Sequence, residues 1–112
     1  LPVEAADGEV RAMMYMVTET WPSKSSAEIG EKSREVLKMS QPHVKRLGTY
    51  LTPGGDGIKG YALFEAEKGH EEEAFKEIVA AFSYYLTVEG FKFTVEPVLP
   101  PEEALGLIGL KL

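Results

Sequence analysis

Between residues 71 and 98 the hydrophobic period of this chain changes, and that change constrains the fold more than any other feature. In EEEAFKEIVAAFSYYLTVEG, Phe75, Ile78, Val79, Phe82, Tyr85 and Leu86 recur at steps of three and four, the spacing of a helix with one buried stripe. Gly90 follows the last apolar turn, where a left-handed cap favours a residue without Cβ. From Phe91 the period is two. Phe91, Phe93 and Val95 alternate with Lys92, Thr94 and Glu96, as in a half-buried strand. A helix over 71–89 that runs into a strand over 91–97 has to pack back on the sheet containing that strand.

Residues 1–9, LPVEAADGE, lack an apolar period and include the turn pair Asp7-Gly8, so they read as a leader to a domain over 10–98. VRAMMYMVTET (10–20) reads as a strand with Ala12, Met14 and Met16 on one face and Met13, Tyr15 and Val17 on the other. Apolar on both faces, it belongs in the middle of a covered sheet. Trp21-Pro22 ends it. A first helix is expected over 25–39, with Ser25 and Glu28 as a capping box and Ile29, Val36 and Leu37 on the buried face. Gly30 and Ser33 share that face. Gly30 costs about 1 kcal/mol relative to Ala inside a helix, so close packing on a sheet is expected to hold this element.

HVKRLGTYLT (43–52) and IKGYALFEAE (58–67) flank Pro53-Gly54-Gly55-Asp56-Gly57, a hairpin signature. The second of these strands is again apolar on both faces, Ala62 and Phe64 against Tyr61 and Leu63. The order β-α-β-β-α-β predicts an α+β, ferredoxin-like sandwich on a four-stranded antiparallel sheet. Its first and third strands occupy the middle, and these are the two with apolar residues on both faces. Pro100-Pro101-Glu102-Glu103 starts a short helix within a segment over 99–112. Leu105, Leu107, Ile108 and Leu110 then form an apolar tail that either folds over its own protomer or reaches a neighbour.

With 112 residues and 44% hydrophobic content, the chain supplies one domain with a modest core. Its net charge of −6, with basic residues dispersed among acids, argues against a nucleic-acid footprint and against an anionic membrane surface. No apolar run approaches the roughly 20 residues that span a bilayer, and a cytoplasmic protein is expected. The absence of cysteine excludes disulfides, thiolate metal sites and cysteine nucleophiles.

Gly55-x-Gly57-x-x-Gly60 matches a dinucleotide fingerprint formally, but it joins two strands, whereas that fingerprint needs a strand followed by a helix N-terminus. It reads as a hairpin turn. His70 beside Glu71, Glu72 and Glu73 suggests metal. Adjacent helix positions diverge, however, and acids suit a first turn, so a solvated charged face is expected and no metal. His43, at a strand start, is a candidate general base or a surface loop histidine.

If Phe91, Phe93 and Val95 pack under the helices, Lys92, Thr94 and Glu96 lie on the opposite face. Strand pairing adds Arg11, Met13, Tyr15, Val17, Glu19, Arg46, Tyr50, Lys59, Tyr61, Leu63 and Glu65 to that face. An apolar, tyrosine-rich patch left in water is unusual for a monomer, so a homodimer is expected. Its interface is either packed solid or encloses a pocket. The candidate ligand-binding residues are Tyr15, Tyr50 and Tyr61, with Met13 and Leu63 as lining and Arg11, Arg46 and Glu65 toward the mouth. A flat, partly apolar guest such as a phenol or quinone suits that composition.

The split order, the two-faced strands in MMYMV and YALFE, and the closing FKFTVEPVLPPEEAL resemble the dimeric α/β-barrel superfamily over residues 10–105. The resemblance implies two ferredoxin-like protomers packed sheet against sheet. Members include cofactor-independent monooxygenases, lactone isomerases, haem-dependent enzymes and small stand-alone proteins, and the chain looks most like the last group. No catalytic residue of the superfamily can be matched here. Neither histidine falls on the expected cavity face, as a haem ligand would, and no cofactor is implied. Three function classes follow: a homodimeric small-molecule binder, a cofactor-independent oxygenase or isomerase, and an assembly module without a small ligand.

Overall fold

A computed structural model describes residues 3–4, 10–11 and 13–111. Two short strands, β1 (Val3–Glu4) and β2 (Val10–Arg11), pair with each other ahead of the main sheet. The rest of the expected leader lies outside the described residues, as do Ala12 and the side chain of Arg11. There follow β3 (Met14–Trp21), α1 (Ser26–Val36), β4 (Val44–Gly54), β5 (Gly57–Ala66), α2 (Glu71–Ser83), β6 (Lys92–Val98) and α3 (Pro101–Leu107). β3 to β6 form an antiparallel sheet in the order β4-β5-β3-β6. This is the ferredoxin-like arrangement, with the two double-sided strands β5 and β3 in the centre. β4 and β5 meet around Gly55-Asp56, Gly54 pairing with Gly57. Pro53 is tolerated inside β4 because β4 is an edge strand.

The register decides which residues meet the helices. Thr18 pairs with Tyr61 and Thr94, whereas Tyr15 pairs with Phe64 and Pro97. Tyr15, Val17, Glu19 and Trp21 are therefore buried on the helix side with Phe64. Met14, Met16, Thr18 and Thr20 share the open face with Tyr61, Leu63 and Glu65. The open-face placement expected for Tyr15, Val17 and Glu19 is corrected, and Met13 likewise packs against the core. Trp21 stacks on Phe91 at 6.5 Å between ring centroids, and strand alternation carries Glu19, Val17 and Tyr15 to the same side. Arg46 moves for a different reason. A bulge between Arg46 and Gly48 adds a residue, so Tyr50 sits opposite Tyr61 on the open face while Arg46, opposite Phe64, crosses to the helix side.

Val17, Phe64 and Ile78 are buried completely at the centre of the core. Phe82 meets Phe64 edge-on, with centroids 6.0 Å apart, and the rings of Tyr85, Phe91 and Phe93 extend the cluster. α2 is shorter than the expected 71–89: the chain tightens into a 3-10 turn over Tyr84–Thr87. At three residues per turn Tyr85 and Val88 fall in line and are buried, while Leu86 is turned to solvent. Phe75 also leaves the expected buried face. It is 40% exposed beside the Tyr15 ring, and Ala74 takes the inward position. Gly90 has φ +79°, and a Cβ there would lie 2.5 Å from Pro22 Cγ, so conformation and close approach both demand glycine.

α1 departs further from expectation. Ser25 closes a 3-10 turn over Ser23–Ser25 and makes no side-chain cap. Its hydroxyl donates to the Glu89 carbonyl instead, at 3.0 Å, in place of the expected capping box. The helix ends at Val36, which leaves Leu37 exposed rather than buried. Gly30 is not packed against the sheet: a Cβ there would find no atom within 4 Å. α1 stands off the sheet at this point. In the C-terminal tail, Leu107, Ile108 and Leu110 are exposed.

Candidate functional site

The space between α1 and the sheet is a groove of about 460 Å³ that extends to β4, a volume within the range of small-molecule sites. Ile29, Gly30, Ser33 and Val36 form its α1 wall. Thr49, Leu51 and Pro53 of β4 face them, and Glu19, Trp21 and Ile58 line the sheet beneath. Phe82 and Tyr85 close the end nearest α2. The local sequence explains the space. Glycine and serine at positions 30 and 33 put little volume on the inner face of α1, and Leu51 on the uncovered edge strand remains 57% exposed.

Few polar groups enter this apolar lining. Glu19 is buried, only 7% exposed, and that burial pushes its pKa up, with the positive charge of Arg46 opposing. A Cβ at position 60 would lie 2.9 Å from Glu19 Cγ and 2.8 Å from Leu51 Cδ2, so Gly60 makes room for both. Arg46 Nη1 donates to Thr49 Oγ1 at 2.6 Å, and its guanidinium lies 5.0 Å from the centre of the Phe64 ring. Trp21 Nε1 donates to Ser26 Oγ at 3.0 Å. Ser33 Oγ donates to the Ile29 carbonyl, so its single proton is used and the Tyr85 phenol is the donor in their 2.8 Å bond. Burial raises the Tyr85 pKa. The arrangement places a carboxyl and a guanidinium among largely apolar walls.

The three tyrosines expected to converge do not. Tyr15 is buried on the helix side, its hydroxyl donating to Met13 Sδ at 3.9 Å, and burial raises its pKa. Tyr50 and Tyr61 are paired on the open face, where Tyr50 is 69% exposed and Lys59 Nζ lies 5.5 Å from the Tyr61 ring. Leu63 and Glu65 are half-buried on that same face. Of the expected residues whose side chains are described, Arg46 alone lines the groove, and the side chain of Arg11 lies outside the described residues. Trp21, Ser33 and Tyr85 were missed. Their signal was a carboxylate and a tryptophan on the inward phase of a strand otherwise apolar there, opposite a helix face interrupted by Gly30 and Ser33. His43 and His70, unconnected in sequence, stack with ring centroids 4.5 Å apart. The Glu77 carboxylate on His43 Nδ1 raises the His43 pKa through its hydrogen bond.

Among the described residues no helix is long and apolar enough to cross a membrane. The family model described as Domain of unknown function (DUF3303) matches residues 13–110. No curated protein matches the chain. Among solved structures, an uncharacterized protein from Thermotoga maritima superposes with a TM-score of 0.53 at 11% identity, covering 77% of this chain and 96% of that one. The C-terminal domain of the MgtC protein from Mycobacterium tuberculosis gives 0.48 at 14% identity, covering 81% and 95%. A protein designated as an antibiotic biosynthesis monooxygenase from Caulobacter crescentus CB15 gives 0.43 at 17% identity, covering 80% and 92%. The first of these likenesses supports the fold.

Proposed function

The chain belongs to the DUF3303 family, and from its groove we propose that it binds a small, flat, partly apolar molecule such as a phenol or quinone. The observation that carries this reading is a buried carboxyl, Glu19, within electrostatic reach of the Arg46 cation in a mostly apolar groove of about 460 Å³. Trp21, Ile29 and Phe82 supply apolar contact, and Glu19 and Arg46 meet a hydroxyl or carbonyl at one end. The guest in this reading lies under α1 and not between two sheets. The open face, with Met16, Tyr61 and Leu63 near its centre, is then free to pair with a second copy of the chain, as in the dimeric α/β-barrel superfamily.

A second reading rests on Glu19. A carboxyl whose pKa is raised inside a pocket is suited to move a proton on a bound guest, which is the requirement for an isomerase or a cofactor-independent oxygenase. The two are separated by experiment. Calorimetry with a panel of phenols and quinones is expected to give saturable binding that Gly30→Leu abolishes by filling the groove, with the circular dichroism spectrum unchanged. No binding to the wild-type chain across the panel would overturn the proposal. If a bound guest is recovered chemically altered, and Glu19→Gln binds it without altering it, the enzyme reading holds.

A further inference from the structure

We propose that His43, His70 and Glu73 form a binding site for a divalent transition-metal ion of the zinc class. His43 immediately precedes β4, His70 is the residue before α2, and Glu73 lies in the first turn of α2. Donor atoms of the three lie within 4.8 Å of one another. A tetrahedral zinc site with bonds near 2.0–2.2 Å holds its donors about 3.4 Å apart, so the cluster has a little over an ångström to close. His70 and Glu73 have side chains that are 46% and 49% exposed and can rotate to close it.

The support around His43 is that of a metal ligand. Glu77 takes the His43 backbone N–H on one oxygen at 3.1 Å and meets the imidazole Nδ1 with the other at 2.6 Å. With Nδ1 engaged, Nε2 is the nitrogen left to coordinate, the arrangement in which a carboxylate fixes ring orientation and raises ligand basicity. The Glu67 carboxylate lies 4.0 Å from Nε2 and is within reach as a further donor. The Glu67 N–H donates to the His43 carbonyl at 2.8 Å, so the end of β5 holds this backbone in place. His70 Nδ1 and Glu73 Oε2 are 2.7 Å apart across three residues of chain, so this pair opens by about 0.7 Å when it exchanges a shared proton for a shared cation. Two imidazoles and a carboxylate favour zinc and its neighbours over magnesium or calcium, which prefer all-oxygen shells. None of these residues lines the groove, so the site stands independently of the guest proposed there. A bound ion would tie the loop after α1 to the start of α2.

The test is isothermal titration of the tag-free full chain with zinc chloride near neutral pH, with cobalt(II) absorption as a second readout. One ion per chain is expected, with cobalt bands of a histidine- and oxygen-ligated site. Because the half-buried His43 contributes to folding contacts, the deciding variants are the exposed ones. His70→Ala and Glu73→Ala should each abolish stoichiometric binding without loss of structure. Glu77→Gln, acting through His43, should weaken binding about ten- to a hundredfold. Absence of saturable binding to the wild-type chain, or binding unchanged in His70→Ala, would overturn the proposal.

Discussion

The Tyr85 phenol donates a 2.8 Å hydrogen bond to Ser33 Oγ, joining the turn after α2 to the inner face of α1 at the end of the groove. α1 stands away from the sheet beside Gly30, so a tie of this kind matters to it more than to a helix packed along its whole length. Tyr85→Phe keeps the ring contacts with Phe82 and Phe91 and removes only the hydroxyl. It should cost about 0.5–1.5 kcal/mol in urea unfolding, the net worth of a neutral hydrogen bond. Combining it with Ser33→Ala should add less than the sum of the two, because both changes delete one bond.

Gly30→Ala should stabilise the protein. The new methyl meets no atom within 4 Å, and Ala is better than Gly in a helix interior by roughly 1 kcal/mol. Unfolding by urea checks this, and destabilisation would mean that α1 packs closer to the sheet than the groove allows.

Stability should also depend on Glu19 in a definite direction. Burial raises the carboxyl pKa in the folded state, so the folded protein holds this proton more tightly than the unfolded chain. The contribution of Glu19 is fully present below the ordinary carboxyl range and is lost as pH rises through the raised value. The melting temperature of the wild type should therefore fall relative to that of Glu19→Gln as pH is raised from acid toward neutral. Arg46→Met, which removes the opposing charge, should steepen that fall, and a difference independent of pH would refute it.

On the open face, Leu63→Glu tests self-association. If Met16, Tyr61 and Leu63 meet a second copy, an uncompensated charge buried there costs about 3–5 kcal/mol per protomer. Light scattering should report a dimer for the wild type and a monomer for the variant. A wild-type monomer at micromolar concentration would remove the dimer and leave the groove proposal untouched.

Element order, the central positions of β3 and β5 and the glycine after α2 were legible in the sequence, because each is written locally. A change of period from 3.6 to 2 needs no knowledge of neighbours, and apolar residues on both faces of a strand imply cover on both sides. That same double-sidedness hid the phase. When Met14 and Met16 are as apolar as Tyr15 and Val17, alternation fits either face, and a one-residue slip sends the tyrosine to the wrong side.

The phase was decided by packing, through Trp21 stacked on Phe91, and at Arg46 by one extra residue in an edge strand. The same kind of decision brought His43 beside His70 and set Glu19 opposite Gly30 and Ser33 across open space. By itself the sequence determined which segments are helix or strand and which strands lie inside, since backbone propensity and hydrophobic period belong to consecutive residues. Only the tertiary structure decided which side chains share a face and where a groove remains. Those properties depend on pairs of residues distant in the chain, and on whether their volumes fill the space between them.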